Sequence, residues 1–138
     1  MSRKSGSIIA FFIVLFAFDR LTKLIALFTS SSVLTLNPKA FFIFDDSALS
    51  TVLLLILVAL LGAWFVHELN NRSHIFVSTG AALIVAGALS NTLDRVRYGA
   101  VIDWIPFRGV SVFNVADAYI VIGCVLVLVS AFARKRVH

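Results

Sequence analysis

Charged residues are scarce in this chain. Of its 138 residues, 14% are charged and 60% are hydrophobic, and long apolar runs occupy most of the sequence. A soluble domain of this size needs far more polar surface, so the composition excludes an ordinary soluble globular fold. The chain is predicted to be an integral membrane protein.

Acidic residues are fewer than basic ones, 7 against 12, and the net charge is +5. An excess of basic residues can indicate nucleic-acid binding. Here, however, basic residues concentrate at the two ends of the chain, at Arg3 and Lys4 and at 134–136. Basic clusters beside apolar runs are typical of contact with anionic lipid head groups. We therefore expect membrane phospholipid, and no nucleic acid, as a partner.

Cysteine and histidine are too few to build a metal site. Cys124 is the single cysteine, so an intrachain disulfide is excluded and a packing role is expected. The 3 histidines are scattered, and neither HExxH nor another ligand spacing occurs. No serine stands beside a base, which disfavours a serine hydrolase. We expect no metal and no cofactor.

The chain also lacks linkers, repeats and low-complexity tracts, which predicts one membrane-embedded domain over residues 1–138. A membrane span takes about 20 apolar residues. Four stretches are predicted to be spans: Ser7–Phe28, Leu49–Val66, Ile75–Leu93 and Ala116–Ala133. The first resembles a secretion signal but lacks a convincing small-residue cleavage site, so we expect a retained helix.

Four spans place both termini on the same side of the membrane. The basic residues divide evenly between the two sides, so their number does not decide the orientation. We place the termini in the cytoplasm because the terminal basic residues flank spans directly, with no acid nearby. The opposite, outer end carries bases interleaved with Asp19, Asp94 and Asp103, as expected of a functional site.

The two outer connections contain β-rich segments. Ser32–Leu36 and Phe41–Phe44 surround the turn signal Asn37-Pro38, and Val101–Ile105 and Val110–Phe113 flank Pro106–Gly109 in the same way. They predict a small cradle on the outer face that rests on the membrane through aromatic side chains: Phe41, Phe42, Phe44 and Trp104. The predicted fold class is all-α integral membrane, with four transmembrane helices and a small extracytoplasmic β-cradle.

Asp103 and Asp117 fall at the same predicted depth, at a membrane boundary where a carboxylate is costly to desolvate. Two converging carboxylates tend to share a proton, so that one can act as base and the other as acid. Taken singly, Asp117 could complement the positive end of the fourth helix, with Asn114 as N-cap, and Asp103 could be a solvated loop acid. Their common depth favours an acid–base site.

Other polar residues lie at the same level. Asn91 and Asp94 share a helix face at i and i+3, and Asp94 and Arg95 are expected to tie down a loop by ion pairing and backbone hydrogen bonds. Asp19 and Lys23 stand at i and i+4, which predicts a neutralising salt bridge. The third span also carries small residues at four-residue spacing, which predicts close approach of a neighbouring helix: Ser78, Ala82, Ala86 and Ser90.

The segments around 87–95, 98–105 and 112–117 closely resemble, in this order, the signature of the signal peptidase II (lipoprotein signal peptidase) family. The resemblance extends to Asp19-Arg20-Leu21-Thr22-Lys23, which is similar to the family's Asp-x-x-x-Lys, and to Asn37. It implies a four-span aspartic peptidase of the bacterial inner membrane. Such an enzyme removes signal peptides from diacylglyceryl-modified prolipoproteins, cutting before the lipidated cysteine.

By position, the resemblance implies that Asp103 and Asp117 are the catalytic pair. It also implies residues that shape the site or bind substrate: Asn91, Asp94, Arg95, Asn114, Asn37, Asp19 and Lys23. The chain departs from the family pattern at Lys39 and at Ser90, where glycines are usual, and its first outer connection is short. These departures bear on substrate preference more than on chemistry.

Two other functions stay open at this point. The first is a paralogue that binds lipidated peptides without cutting them, for which the altered outer loop is the only support. The second is a small four-span proton-coupled transporter, which needs an ionisable group near the middle of a span. Asp19 is the only candidate for that group, and Lys23 one turn away would neutralise it.

Overall fold

The computed structural model describes residues 3–29, 34–37, 48–70, 75–107 and 111–135. Within them the elements follow in the order α1 (Arg3–Phe28), β1 (Thr35–Asn37), α2 (Ala48–Asn70), α3 (Ile75–Tyr98), β2 (Val101–Asp103), β3 (Ile105–Phe107), β4 (Ser111–Phe113) and α4 (Val115–Lys135). Each predicted span overlaps one of these helices over most or all of its length. Lys39 and the predicted strand Phe41–Phe44 lie outside the described residues.

Three of the described helices are long and apolar enough to cross a membrane. They contain Val52–Asn70 in α2, Ile75–Tyr98 in α3 and Val115–Ala133 in α4. The remaining helix, α1, is also long, but its second half carries three charged residues, Asp19, Arg20 and Lys23. Four spans, as predicted from the sequence, require α1 to cross the membrane as well.

The helix α3 extends further than predicted, to Tyr98 and not to Leu93. Between Leu93 and Gly99 no glycine or proline interrupts the chain. Gly99 has a φ of 70°, and its N–H donates to the Arg95 carbonyl oxygen at 2.9 Å. A glycine with positive φ directly after the last turn is a common way to end a helix. The polar motif at the end of the third span is therefore helical throughout.

The other three helices all pack against α3, and α4 does so most extensively. Every residue of α3 from Gly80 to Gly87 is buried. The predicted stripe of small residues is buried too: Ala82 belongs to an apolar cluster with Ile8 of α1 and Phe65 of α2. Small side chains in α3 thus allow larger side chains of its neighbours to pack closely, as predicted.

The contact with α4 depends on glycines outside that stripe. A Cβ atom on Gly87 would lie 2.9 Å from Ile120 Cγ1 and closer still to the carbonyl oxygen of Ala116. A Cβ atom on Gly80 would lie 2.8 Å from the carbonyl oxygen of Gly123. Because Ala116 belongs to the first turn of α4, the absence of a side chain at Gly87 sets where that turn lies.

Two antiparallel two-stranded sheets accompany the helices. In the first, β1 pairs with β2, with Thr35 opposite Asp103 and Asn37 opposite Val101. In the second, β3 pairs with β4, with Ile105 opposite Phe113. A small strand region was predicted here and is present.

The predicted bounds of the turn and of one strand inside this region were wrong. Pro106 does not begin a turn. It lies within β3, opposite Val112. The edge of β3 that faces away from β4 pairs with no strand among the described residues. Proline is tolerated there because it lacks a backbone N–H, and an N–H on the unpaired edge of a strand has no acceptor in a neighbouring strand. The predicted strand Val101–Ile105 is also split, because the chain changes sheets at Trp104, whose N–H donates to the Phe113 carbonyl oxygen at 3.1 Å.

The close approach at Gly87 is testable by substitution. Gly87→Ala should destabilise the protein by about 1–3 kcal/mol, because the added methyl group must push α4 away from α3. The measurement is the free energy of unfolding of the protein in detergent micelles. Gly62→Ala in α2 is the matched control, since a Cβ there meets nothing within 4 Å. It should be neutral or slightly stabilising, and equal effects of the two substitutions would contradict the assignment.

Candidate active site

Asp103 and Asp117 line the same cavity, which has a volume of about 440 Å³ and is also lined by Asn91 and Arg95. Asp103 is the last residue of β2, and Asp117 lies in the first turn of α4. Asn91 and Arg95 stand one turn apart on α3. The structure therefore brings together two aspartates that the sequence placed at the same depth.

The rest of the cavity wall is largely apolar. Leu54, Leu57 and Leu61 line it from one face of α2, and Ile84 lines it from α3, about two helical turns from Asn91. The α4 side is formed by Ile120 and Val121. The cavity thus joins a polar end to an apolar stretch along the helices.

The first turn of α4 is capped by Asn114, as predicted. The N–H of Asp117 donates to Asn114 Oδ1 at 3.0 Å, and the N–H of Asn114 donates to Asp117 Oδ2 at 3.3 Å. This reciprocal arrangement satisfies two backbone donors at the helix start. It also holds the Asp117 carboxylate at the positive end of the helix, which favours a negative charge there.

Two side-chain amides connect the aspartates. Asn91 Nδ2 donates to Asp117 Oδ1 at 2.8 Å, and Asn114 Nδ2 donates to Asp103 Oδ1 at 2.7 Å. The same Asn114 nitrogen is 3.2 Å from Asn91 Oδ1. Asn114 therefore contacts Asp103 through its side chain and Asp117 through its backbone, which links the two carboxylates through one residue.

The orientation of these amides is determined by Lys23. Its ammonium group is buried and donates to Asn91 Oδ1 at 2.7 Å. Because an ammonium group can only donate, Asn91 must direct its oxygen to Lys23 and its NH₂ group to Asp117. That oxygen then also accepts from Asn114, whose NH₂ group faces Asp103.

Two further carboxylates balance the charge of Lys23. Its Nζ lies 3.1 Å from Asp19 Oδ2 and 2.7 Å from Asp94 Oδ2, and all three side chains are 0% exposed. The predicted salt bridge between Asp19 and Lys23 is confirmed. Asp94 Oδ2 also accepts the N–H of Ile102 at 3.4 Å, so Asp94 ties the chain after α3, as predicted.

Arg95 differs from the prediction made for it. It was expected to join Asp94 in holding a loop, but its side chain lines the cavity. Its guanidinium group interacts electrostatically with Asp117, Asp103 and Asp94, and Nη1 is 3.5 Å from the Asn91 carbonyl oxygen. Arg95 thus places a positive charge beside both site aspartates.

Sequence reasoning missed Arg20 as part of this region, and it treated Ser90 as a small residue and as a departure from the family pattern, without a hydrogen-bonding role. Arg20 Nη1 forms an ion pair with Asp94 Oδ1 and donates to Ser90 Oγ at 3.3 Å. Ser90 Oγ in turn donates to Asp19 Oδ2 at 2.5 Å. The sequence feature that could have indicated these contacts is the hydroxyl group of Ser90, which lies at the end of the small-residue stripe on the helix face that meets α1.

Asn37 ends β1, where it is paired opposite Val101.

Among the described residues, no group of three or more histidine, cysteine, aspartate or glutamate side chains is arranged to hold a metal ion. Two carboxylates share a cavity with one guanidinium group, and amide donors fix each of them. Such a pair can transfer protons to and from a molecule bound in the cavity.

Comparison with known proteins identifies a family. Residues 11–133 match the family described as Signal peptidase (SPase) II. A protein of Streptococcus pneumoniae named lipoprotein signal peptidase is 30% identical over 110 residues, which cover 78% of this chain and 71% of that protein. A protein of Clostridioides difficile with the same name is 46% identical over 78 residues, 54% of this chain and 53% of that protein. The chain thus spans about half the length of some relatives that it matches.

A solved structure described as a bacterial membrane enzyme has the same fold. It superposes with a TM-score of 0.79 at 23% sequence identity, over 94% of this chain and 90% of that one. A second structure with the same description gives a TM-score of 0.74, also at 23% identity. At this level of identity, the likeness establishes the arrangement of helices and strands.

The role of Lys23 in the interior can be tested by removing its charge. Lys23→Met should destabilise the protein by about 3–5 kcal/mol, because it leaves Asp19 and Asp94 buried with one cation fewer. The free energy of unfolding in detergent micelles measures the effect. Arg97→Gln, which removes an exposed charge from the last turn of α3, should change it by no more than about 0.5 kcal/mol. Equal stability of Lys23→Met and wild type would show that the ammonium group does not hold the two carboxylates.

Proposed function

Because the chain belongs to the signal peptidase II family, we propose that it is a peptidase that removes signal peptides from lipid-modified prolipoproteins. The relatives reported above carry the name lipoprotein signal peptidase. The bond cut is the peptide bond directly before the cysteine that bears diacylglycerol. Family membership and the apolar helices make the chain a multi-pass membrane protein, in keeping with a lipid-anchored substrate.

The observation that carries this proposal is the convergence of Asp103 and Asp117 on one cavity. Each carboxylate accepts an amide N–H, from Asn114 and Asn91 respectively. Asn91 lines this cavity together with both aspartates. A peptide bond and a water molecule bound in that cavity could reach both acids, which is the requirement for an aspartic peptidase.

The proposed reaction is a direct hydrolysis. One carboxylate accepts a proton from water as the water oxygen bonds to the scissile carbonyl carbon, while the other carboxyl group gives its proton to the carbonyl oxygen. The tetrahedral intermediate then collapses, the carbon–nitrogen bond breaks, and a proton passes to the leaving nitrogen. The products are a free carboxyl group on the signal peptide and a free amino group on the lipidated cysteine.

A positive charge lies beside the pair of aspartates. Two carboxylates that share one proton carry a single negative charge, and the Arg95 guanidinium group beside them carries one positive charge. The farther charges of Lys23, Arg20, Asp19 and Asp94 sum to zero.

The apolar wall supports a lipid-linked substrate. Leucines of α2 and residues of α4 flank the cavity beyond its polar end. An acyl chain or the apolar part of a signal peptide can contact this surface while the scissile bond lies at the aspartates. The apolar contacts would contribute about 25 cal/mol for each Å² of apolar surface that they bury.

For the topology, we propose four spans in the bacterial inner membrane, with α1 as the fourth. Its charged residues Asp19 and Lys23 are fully buried against α3 and α4, so they do not face lipid. Both termini then lie in the cytoplasm, and the aspartates lie at the extracytoplasmic end, where exported substrates arrive. The whole chain, residues 1–138, forms one peptidase domain.

The two other functions have less support. A proton-coupled transporter needs a titratable group that exchanges protons within a span, but Asp19 is held by Lys23, Ser90 and a backbone N–H. A paralogue without cleavage activity would need a damaged site, whereas each site aspartate retains an amide donor. Cleavage is therefore the function that this geometry supports best.

Removal of either acid tests the mechanism. Asp103→Asn and Asp117→Asn should each reduce cleavage of a diacylglyceryl-modified prolipoprotein by at least about 100-fold, because an amide cannot exchange the proton. Cleavage by the purified, reconstituted protein is read on a gel from the change in substrate mobility. Glu68→Gln, near the opposite end of α2, is the control and should cleave at the wild-type rate. Wild-type turnover in either aspartate variant would remove that residue from the mechanism.

The four-span topology is testable with a reporter fused after His138. The reporter should indicate a cytoplasmic C-terminus, because four spans return the chain to the side on which it began. A membrane-impermeant thiol reagent should leave Cys124, on an exposed surface of α4, unlabelled in intact membranes, since that surface faces lipid. An external C-terminus would contradict the proposal and would place the aspartates on the cytoplasmic side.

A further inference from the structure

Asp19 and Asp94 play matching parts in the structure. Asp19 Oδ1 accepts the N–H of Ala116 at 2.8 Å, and Asp94 Oδ2 accepts the N–H of Ile102 at 3.4 Å. Ala116 directly precedes Asp117 in the chain, and Ile102 directly precedes Asp103. Each of these buried carboxylates thus holds the backbone one residue before a site aspartate.

Arg20 is connected to both of these carboxylates. Its Nη1 forms an ion pair with Asp94 directly, and it reaches Asp19 through Ser90, whose hydroxyl group donates to Asp19 Oδ2 at 2.5 Å. Nη1 is also 3.4 Å from the Ser90 carbonyl oxygen. One nitrogen atom of α1 therefore contacts the support of Asp103 directly and the support of Asp117 through Ser90.

The charge balance also depends on Arg20. Asp19 and Asp94 carry two negative charges, and Lys23 and Arg20 carry two positive charges. Without Arg20, one carboxylate of this group would keep an uncompensated charge, and a buried charge of that kind must move toward a partner or take up a proton. Either change would disturb the hydrogen bonds to the backbone of Ala116 and Ile102.

We propose that Arg20 is a positioning residue for the cleavage reaction and that Ser90 passes its effect to Asp19. The inference rests on the proposed function and concerns the placement of the aspartates, not contact with substrate. Arg20 is absent from the residues that line the cavity in the described part of the chain. Its loss should therefore lower turnover and leave substrate affinity nearly unchanged.

The experiment compares kcat and KM of reconstituted variants on a synthetic peptide that carries a diacylglyceryl cysteine. Arg20→Gln should lower kcat by about 10- to 100-fold, the range found when a group that orients a reactive residue is lost, with KM changed less than about twofold. Arg20→Lys should restore most of the activity, because all the contacts of Arg20 use one nitrogen atom. Arg97→Gln is the control. The guanidinium group that it removes lies at the exposed end of α3, over the Tyr98 ring, so kcat and KM should match those of wild type.

Ser90→Ala serves as a second variant, because it removes one hydroxyl group and leaves every charge in place. It should lower kcat by about 3- to 10-fold without raising KM, since Asp19 loses one of its donors. If Arg20→Gln does not fold, the kcat of Ser90→Ala decides the inference. An unchanged kcat, or a rise in KM alone, overturns it.

The inference and the proposed function fail in different ways. Absence of cleavage by both wild type and Arg97→Gln would contradict the proposed function, and with it the role of Arg20. Cleavage by wild type at an undiminished rate in Arg20→Gln would contradict the role of Arg20 alone. Equal inactivity of Arg20→Gln and Arg20→Lys, with both proteins folded, would also count against it, because the lysine retains the charge and the donors.

Discussion

The geometry of the site depends on the buried ammonium group of Lys23. Taking an ion out of water costs several kcal/mol, so the charge is tolerated only where hydrogen bonds and opposite charges replace the lost water. Lys23 has three donors, and its three acceptors are Asn91, Asp19 and Asp94. These acceptors lie on α1 and α3, so the requirement to solvate one charge also fixes how the two helices face each other. The orientation of the amides beside the site aspartates follows from the same requirement.

Helix packing and chemistry are coupled through α3. Its buried middle consists mainly of small residues, and the absence of a side chain at Gly87 lets the first turn of α4 lie against it. That turn carries Asp117, and α3 itself carries Asn91 one turn further along. The hydrogen bond between Asn91 and Asp117 therefore requires the close approach that glycine allows. Residues without any polar group thus contribute to the position of the Asp117 carboxylate.

Features that depend on neighbours in sequence could be predicted. Apolar runs gave the approximate helix positions, the spacing of Asp19 and Lys23 gave their salt bridge, and the spacing of Asn114 and Asp117 gave the helix cap. Each is decided within one helical turn or by the length of one apolar segment. The predicted span ended at Leu93, and the charged residues that follow it still belong to α3, which runs to Tyr98 and is ended by Gly99.

Features that depend on contacts across the chain could not be predicted in the same way. The contact of Arg20 with Ser90 and Asp94 requires knowledge of how α1 is rotated against α3, and no local spacing encodes that rotation. The pairing of β1 with β2 joins segments far apart in sequence, so the turn signals beside each strand were uninformative. The family resemblance placed Asp103, Asp117 and the residues around them in one site, but the hydrogen bonds that hold the two aspartates became visible only in the structure.

The pairing of β1 with β2 also has a mechanical consequence. It joins the connection between α1 and α2 to the strand that carries Asp103, and Thr35 stands directly opposite that aspartate. All of β2 is buried, so this strand cannot shift without moving its neighbours. A displacement of β1 is therefore transmitted to the strand that ends at Asp103 through a ladder of three residue pairs. A molecule that displaces β1 as it binds would also displace Asp103, so its binding and the position of that carboxylate are linked.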